Sequence, residues 1–559
     1  MKDYFDLGTY GREITTTSAE AQRWFNLGLN WSYGFHHEEA LLCYKKVVEH
    51  DPTCAMGHWG IAYAIGPYYN QVWPEYSEQG LKQGLQQTYT HARQAQKLAE
   101  ETNATPIEKA LINALTIRFP ATQVESEEEF SQWDEDYAAA MRDVYAQFAE
   151  DYEVSALTAE ALMCRTPWQL WDLENRVPAA NSSTSEALDI VETAFAQIEA
   201  KGDPPHPGLL HFYIHILEMS PEPERALDAC DTLLNLVPDC GHLIHMPSHV
   251  YVLCGLYEKS FAANAQAGIA DQKYVAYNDK LGIYTIYRLH NVHFKIYSAL
   301  FLGQYERALQ AAEEIIDIIP PDGLHHEQQK LVNYLEGYTG MKAHVLVRFG
   351  KWQEILDEPL PTDPDLYCVT AAMWQYAKGI AYAVLGDIPN ALAQQEKFAA
   401  ALAKVPEERQ TFNNSCRDIL GVAEAMLAGE LDYRRKNYET AFAHLRESVK
   451  RYDQLNYTEP WPWMQPPRHA LGALLLEQGH VSKAEAVYRA DLGLDDTLVR
   501  PSQHPDNVWS LHGYAECLER LGRHEETAFF QEKLATMSQQ ADIPITASCF
   551  CRKTNHCCD

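Results

Sequence analysis

Apolar residues recur along this chain at the three-and-four spacing of an amphipathic helix, and nowhere in the sustained alternation of a half-buried strand. Ile190 to Ala200 and Val422 to Leu431 are clear examples. Between such runs a short pattern returns: GLYEKSFAAN from Gly255, GQYERALQAA from Gly303, GKWQEILDE from Gly350, GDIPNALAQQ from Gly386, KNYETAFAHL from Lys436 and GHVSKAEAVY from Gly479. Each reads as a tight turn that ends one helix and opens the next. The pattern predicts an all-α chain of about eight to twelve helix pairs, an architecture that grows to 559 residues without enlarging a single core. Segments rich in Pro, Asn or acidic residues are expected to be loops: Phe119 to Asp134, Arg176 to Ser185, Asp357 to Leu366 and Leu494 to Asn507. VESEEEF, from Val124, reads as a solvated charge run.

The N-terminal stretch spells a more specific repeat. Trp24-x2-Leu27-Gly28-x2-Trp31, then Ala40-x3-Tyr44, then Pro52 follows the tetratricopeptide pattern of roughly 34 residues, in which large side chains of one helix pack on small ones of its partner. The chain also resembles the tetratricopeptide repeat protein 38-like group, through HHEEALLCYKKVVEHDPTCAMGHWGIAYAIGPYYN, HFYIHILE, HMPSHVY, EPWPWMQPPRHALGALLLEQG, AEAVYRADL and HPDNVWSLHGYAECL. The resemblance covers most of the chain and is weakest over Phe119 to Ala200. It implies a tetratricopeptide-like α-α superhelix, and the aromatic insertion YTEPWPWMQ suggests one closed or lidded around a central pocket. The expected divisions are N-terminal repeats over 1–118, a divergent helical insertion over 119–200, histidine-rich repeats over 201–355, further repeats over 356–540 and a Cys-rich tail over 541–559.

Charge narrows the partners. With 45 basic and 78 acidic residues the formal charge is −33, which opposes phosphate backbones and anionic lipid, so neither nucleic acid nor a membrane is an expected partner. MKDYFDLG has no apolar signal core, and no run approaches the ~20 apolar residues of a membrane span, which predicts a soluble cytoplasmic protein. Among 13 cysteines, Cys43, Cys164, Cys254, Cys368 and Cys517 stand singly in helical patterns and read as reduced core thiols. Cys549, Cys551, Cys557 and Cys558 crowd into SCFCRKTNHCCD beside His556, either a zinc cluster or a mobile terminus with reactive thiols.

Histidine carries the candidate chemistry. Eight of 23 histidines lie between His206 and His293, where an even spread would place about four. His211 and His215 are i,i+4; His242, His245 and His249 are i,i+3,i+7; His290 and His293 are i,i+3, so each set falls on one helical stripe. Carried through the repeat frame, His211, His215 and Glu218 take positions 5, 9 and 12 of one first helix; His242, His245 and His249 take 2, 5 and 9 of the next; His290, His293 and Tyr297 take 2, 5 and 9 of a third; and His344 takes 9 of a fourth. The resemblance implies that these positions line a concave groove. Hydrogen-bonding needs in a core do not select one face repeatedly, which favours a site.

Packed helices lie about 8–10 Å apart, so one ion draws on two adjacent helices more readily than on three. The expected metal ligands are His211, His215, His245, His249 and His293, centred on the helix of His245 and His249, with Glu218 completing the site or orienting a ligand. Glu218 and Tyr297 are candidate catalytic groups; His242, His290, His344, Tyr213 and His469 form a secondary pocket set. Pro247 should kink or start its helix, leaving the turn of His242 irregular. His206, in PPHPG, reads as loop, and His36 and His37 as structural or capping residues. An imidazole-rich site suits iron, copper or zinc. The reading that follows is a metal-dependent enzyme acting on a small-molecule substrate, an oxidoreductase before a hydrolase or lyase. Its alternatives are a tetratricopeptide scaffold with a protein partner and a non-catalytic metal-binding protein.

Overall fold

The six turns expected from the sequence close in one way. In the computed structural model, Gly255, Gly303, Gly350, Gly386 and Gly479 all have left-handed φ values between 64° and 90°, and Lys436 adopts φ 64° without being glycine. In each, the following residue's N–H reaches back five residues to a helical carbonyl: Leu256 to Tyr251 at 2.8 Å, and Gln304 to Ala299, Lys351 to Leu346, Asp387 to Tyr382, Asn437 to Asp432 and His480 to Leu475 at 2.9 Å. This is the Schellman closure, which satisfies carbonyls that a helix end would otherwise leave bare. A further turn of the same kind lies at Gly522, with Arg523 N–H on Leu518 O at 3.0 Å.

These turns join antiparallel helix pairs, among them Ile283–Leu302 with Tyr305–Ile318, Cys368–Leu385 with Ile388–Leu402, Cys416–Arg434 with Tyr438–Asp453, Pro467–Glu477 with Val481–Asp491, and Val508–Arg520 with His524–Ser538. The structure describes residues 4–278, 280–320, 323–325 and 329–553, and among them the strands amount to two short hairpins, Trp171–Asp172 with Val177–Pro178 and Gln410–Thr411 with Asn414–Ser415. The chain is all-α, built of stacked helix pairs. No helix among the described residues is long and apolar enough to cross a membrane.

Close approach at the crossings depends on glycine facing tyrosine. Tyr44 lies between Gly28 and Gly60, and Tyr488 between Gly472 and Gly513; a Cβ at any of these glycines would run into the ring. Gly513→Ala is therefore expected to destabilise the chain by about 1–3 kcal/mol, read as a lower midpoint in chemical denaturation. An unchanged midpoint would show that the crossing gives way without cost.

Two expected loops are shorter than the sequence suggested. The helix Glu128–Phe148 begins inside the acidic stretch after Phe119, because Phe130 and Trp133 give it a buried apolar side that the run of glutamates masks. Thr184–Lys201 likewise begins before the end of Arg176 to Ser185. The stretches around Asp357 to Leu366 and Leu494 to Asn507 are mainly irregular, the second holding one short 3-10 helix at Arg500–Ser502.

By backbone contacts the chain divides into two compact units. The first comprises Met1–Val250 and Ile269–Asn278, the second Tyr251–Gly268 and Asp279–Asp559. Cys549 and Cys551 are joined to each other by a disulfide, so neither thiolate is available to a zinc ion in this state. His556, Cys557 and Cys558 lie outside the described residues. Cys43, Cys164, Cys254, Cys368 and Cys517 are thiols outside any disulfide, and all but Cys254 are buried.

Candidate metal centre

The first unit assembles its histidines from two neighbouring stretches of helix. Pro207–Leu217 starts at His206, whose Nδ1 accepts the Leu209 N–H at 3.2 Å, so the residue read as loop is the helix cap. The sequence PGLLHFYIHIL is apolar almost all round, and the helix is buried on every side, His211 and His215 included. The following stretch is broken as expected: Gly241–His245 ends and Pro247–Leu253 begins at Pro247. His242 and His245 stand on the first piece, His249 on the second.

Hydrogen bonds fix which nitrogens face one another. His211 Nδ1 donates to the Tyr33 carbonyl at 2.6 Å, and His215 Nδ1 donates to Glu218 Oε1 at 3.0 Å. Both Nε2 atoms are buried and make no hydrogen bond. His211, His215 and His242 each offer a ligand nitrogen within 4.8 Å of the others. Bonds of about 2.0–2.1 Å would set such nitrogens roughly 3.3 Å apart, so ring movements on the order of 1 Å close the three onto one ion. Glu218 Oε2 also lies 2.7 Å from His249 Nδ1, and His249 Nε2 lies 2.9 Å from His245 Nε2. One of these two Nε2 atoms carries the proton and the other accepts it. The structure thus places His242 with His211 and His215, and pairs His245 with His249 behind Glu218.

Charge in this cluster is unbalanced. Burial pushes the His211, His215 and His242 protonation constants down, so all three are neutral and each can offer a lone pair to an ion. Burial alone would raise Glu218, but the neighbouring His215 and His249 outweigh it and hold the carboxyl below its ordinary value. A carboxylate fully out of water, hydrogen-bonded to His215 and close to His249, is the setting in which a cation is stabilised.

Two aromatic rings cover the trio from strained backbone. Phe35 has φ 53° and Trp168 φ 61°, a conformation that L residues other than Asn and Asp seldom adopt. The Phe35 ring centroid lies 4.4 Å from that of His211, 5.7 Å from His215 and 5.5 Å from His242; Trp168 and Tyr69 approach His215 at 5.8 and 5.0 Å. Phe35 occupies the left-handed turn position at which glycine stands in most of the later turns. That departure was the available sequence signal for a covered site. Phe35→Gly is expected to keep the turn and speed loss of bound metal to a chelator by roughly tenfold; an unchanged rate would mean the ring does not seal the site.

Other histidines are held neutral as well. Burial drives His36, His37, His206, His293 and His344 to about 3 and His469 to about 4. Folded values below the unfolded 6.5 mean that the unfolded chain takes up protons first, so stability is full above that pH and falls as pH drops below it. Each such group costs about 1.4 kcal/mol per pH unit. The urea midpoint is expected to fall steeply between about pH 6.5 and pH 5; a flat midpoint there would show that these imidazoles are not buried in neutral form.

The remaining expected residues are accounted for by their own neighbours. Tyr213 donates to Glu192 at 2.9 Å. His290, His293, Tyr297, His344 and His469 belong to the second unit. There His293 lies edge-on to Tyr338 at 5.5 Å, His290 against Phe412 at 4.7 Å, His344 against Trp463 at 4.7 Å, and Tyr297 against Phe301 at 4.5 Å. His469 Nε2 donates to Asp491 Oδ2 at 2.8 Å and its Nδ1 accepts from Arg348 at 2.9 Å. Asp491 also accepts from His504 Nδ1 at 2.9 Å, and neither Asp491 nor His504 was singled out by the sequence.

No family model matches the chain, and no curated protein matches it. Among solved structures, Naa15/Naa10 bound to HypK-THB is similar over 94% of this chain and 71% of that one, at 12% identity and a TM-score of 0.21. The APC/C hetero-tetramer Cut9-Hcn1 is similar over 93% of this chain and 94% of that one, at 12% identity and a TM-score of 0.28.

Proposed function

We propose that this chain is a helical-repeat protein that binds a transition-metal ion in its first unit, through Nε2 of His211, Nε2 of His215 and a ring nitrogen of His242. The observation that carries this reading is the locking of two Nδ1–H groups onto a backbone carbonyl and a carboxylate, which leaves two buried Nε2 lone pairs without a hydrogen bond on rings that cluster with a third imidazole. That is how metal-ligating histidines are oriented in general. Zinc, copper and iron suit such ligands.

A second reading rests on ligand count. Three protein ligands are the number found at catalytic zinc sites, whereas structural sites use four. A fourth position open to a small organic molecule would make the ion a Lewis acid or an oxygen-activating centre. The helix-pair array is also an architecture on which partner surfaces are built, so a protein partner is compatible with either reading. Elemental analysis of untagged protein tests the first: about one equivalent of metal, lost in His211→Ala, is expected, and trace metal unaffected by that substitution would overturn it. Azide added to the cobalt-loaded protein separates the two, because a changed visible spectrum requires an open position.

A further inference from the structure

Residues 541–553 cross the second unit without regular structure, and they are fastened at successive points. The Asp542 carboxylate accepts the backbone N–H groups of Tyr305 and Glu306 at 2.6 and 2.8 Å, capping Tyr305–Ile318. Ser548 Oγ donates to the His469 carbonyl at 3.1 Å. Phe550 packs on the Gly350 turn and edge-on to Trp509, centroids 5.7 Å apart. Arg552 makes a two-pronged pair with Glu516 at 2.6 and 2.9 Å, and Arg434 donates to the Cys551 carbonyl.

The disulfide closes around the central anchor. Cys549 and Cys551 are separated by Phe550 alone, and both line a cavity with Arg348, Trp352, Tyr376 and Trp463. A bond between residues two apart closes a very small loop, so it removes little entropy from the unfolded chain and is a poor staple for the fold. It does pin the backbone on both sides of Phe550. Cys549 is half-buried while Cys551 is 4% exposed, so Cys549 is the more accessible residue of the pair.

We propose that Cys549–Cys551 is a thiol–disulfide exchange site that latches the C-terminal segment onto the second unit. The co-reactant is a thiol couple. An incoming thiolate attacks the Cys549 sulfur, the Cys549–Cys551 bond breaks, and Cys551 leaves as a thiolate before taking a proton. A second thiolate attacks the external sulfur of the mixed disulfide, releasing the Cys549 thiolate, which is protonated, and an external disulfide. The protein gains two electrons and two protons, and the external thiols lose them. Opening the ring frees Phe550 from the Gly350 turn and Trp509 and exposes the surface beneath.

The test uses the full chain with Cys557→Ser and Cys558→Ser, equilibrated with oxidised or reduced glutathione. After oxidised glutathione, native alkylation is expected to leave Cys549 and Cys551 unmodified; after reduced glutathione both are labelled, with the buried thiols silent. Trypsin cleavage after Arg552 or Lys553 is expected to be about tenfold faster in the reduced protein. Phe550→Ala should abolish that difference by releasing the segment in both states, while leaving the alkylation pattern intact. Labelling of both cysteines after oxidised glutathione would overturn the exchange site. Equal cleavage rates in the two redox states would overturn the latch.

Discussion

His215→Ala is expected to lower metal affinity by roughly a hundredfold or more, and Glu218→Gln by about ten- to hundredfold, with His293→Ala in the second unit leaving it unchanged. His215 supplies a lone pair directly, so its loss removes a bond to the ion. Glu218 acts at one remove. One oxygen accepts from His215 and the other lies 2.7 Å from His249 Nδ1. An amide in place of the carboxylate is a weaker acceptor for His215 Nδ1–H and removes the buried negative charge beside His249. The gradation separates a metal centre from a polar packing seam. In a seam, Glu218→Gln would cost stability without a metal readout. Competition with a chromophoric chelator measures the affinities, and identical values for all three variants would remove the site.

The array was legible because its turns are dictated locally. A left-handed residue followed by a new helix needs glycine at most positions, and Gly255, Gly303, Gly350, Gly386 and Gly479 announce themselves. The first turn does not, since Phe35 takes the same conformation, and only the repeat frame places it. Helical spacing put His211 with His215 and His245 with His249. It could not rank them, because which nitrogens converge depends on the Tyr33 carbonyl, reached from 178 residues away. Hydrophobic periodicity also hid Glu128–Phe148, where the acidic flank outweighed two buried aromatic residues. The Asp491 network was illegible for the same reason as the trio: its partners His469, His504 and Arg348 lie far apart in sequence and only packing joins them.

Asp491→Ala is expected to destabilise the chain by about 3–5 kcal/mol at neutral pH, the range for removing one partner of a buried charged network. The Asp491 side chain is wholly buried and accepts four hydrogen bonds: from His469 at 2.8 Å, His504 at 2.9 Å, Asn507 at 3.1 Å and Ser510 at 2.6 Å. His469 is neutral with its proton on Nε2, so it links the Arg348 guanidinium on one side to the carboxylate on the other. Arg348, stacked 3.7 Å above the Trp509 ring, would keep that stacking but lose its route to a counter-charge. The pH dependence distinguishes the carboxylate from its histidines. Burial alone would raise Asp491, but the attraction of His469 and His504 holds it well below its ordinary value. The unfolded chain therefore binds the proton first, and the contribution of Asp491 is full above about pH 5 and shrinks only in stronger acid. His469, whose folded value is about 4, loses its contribution earlier, from pH 6.5 downward. Urea denaturation of wild type and Asp491→Ala at pH 7 and pH 5 should give the same gap at both. A gap that closes between those values would assign the stabilisation to imidazole titration and not to the buried carboxylate.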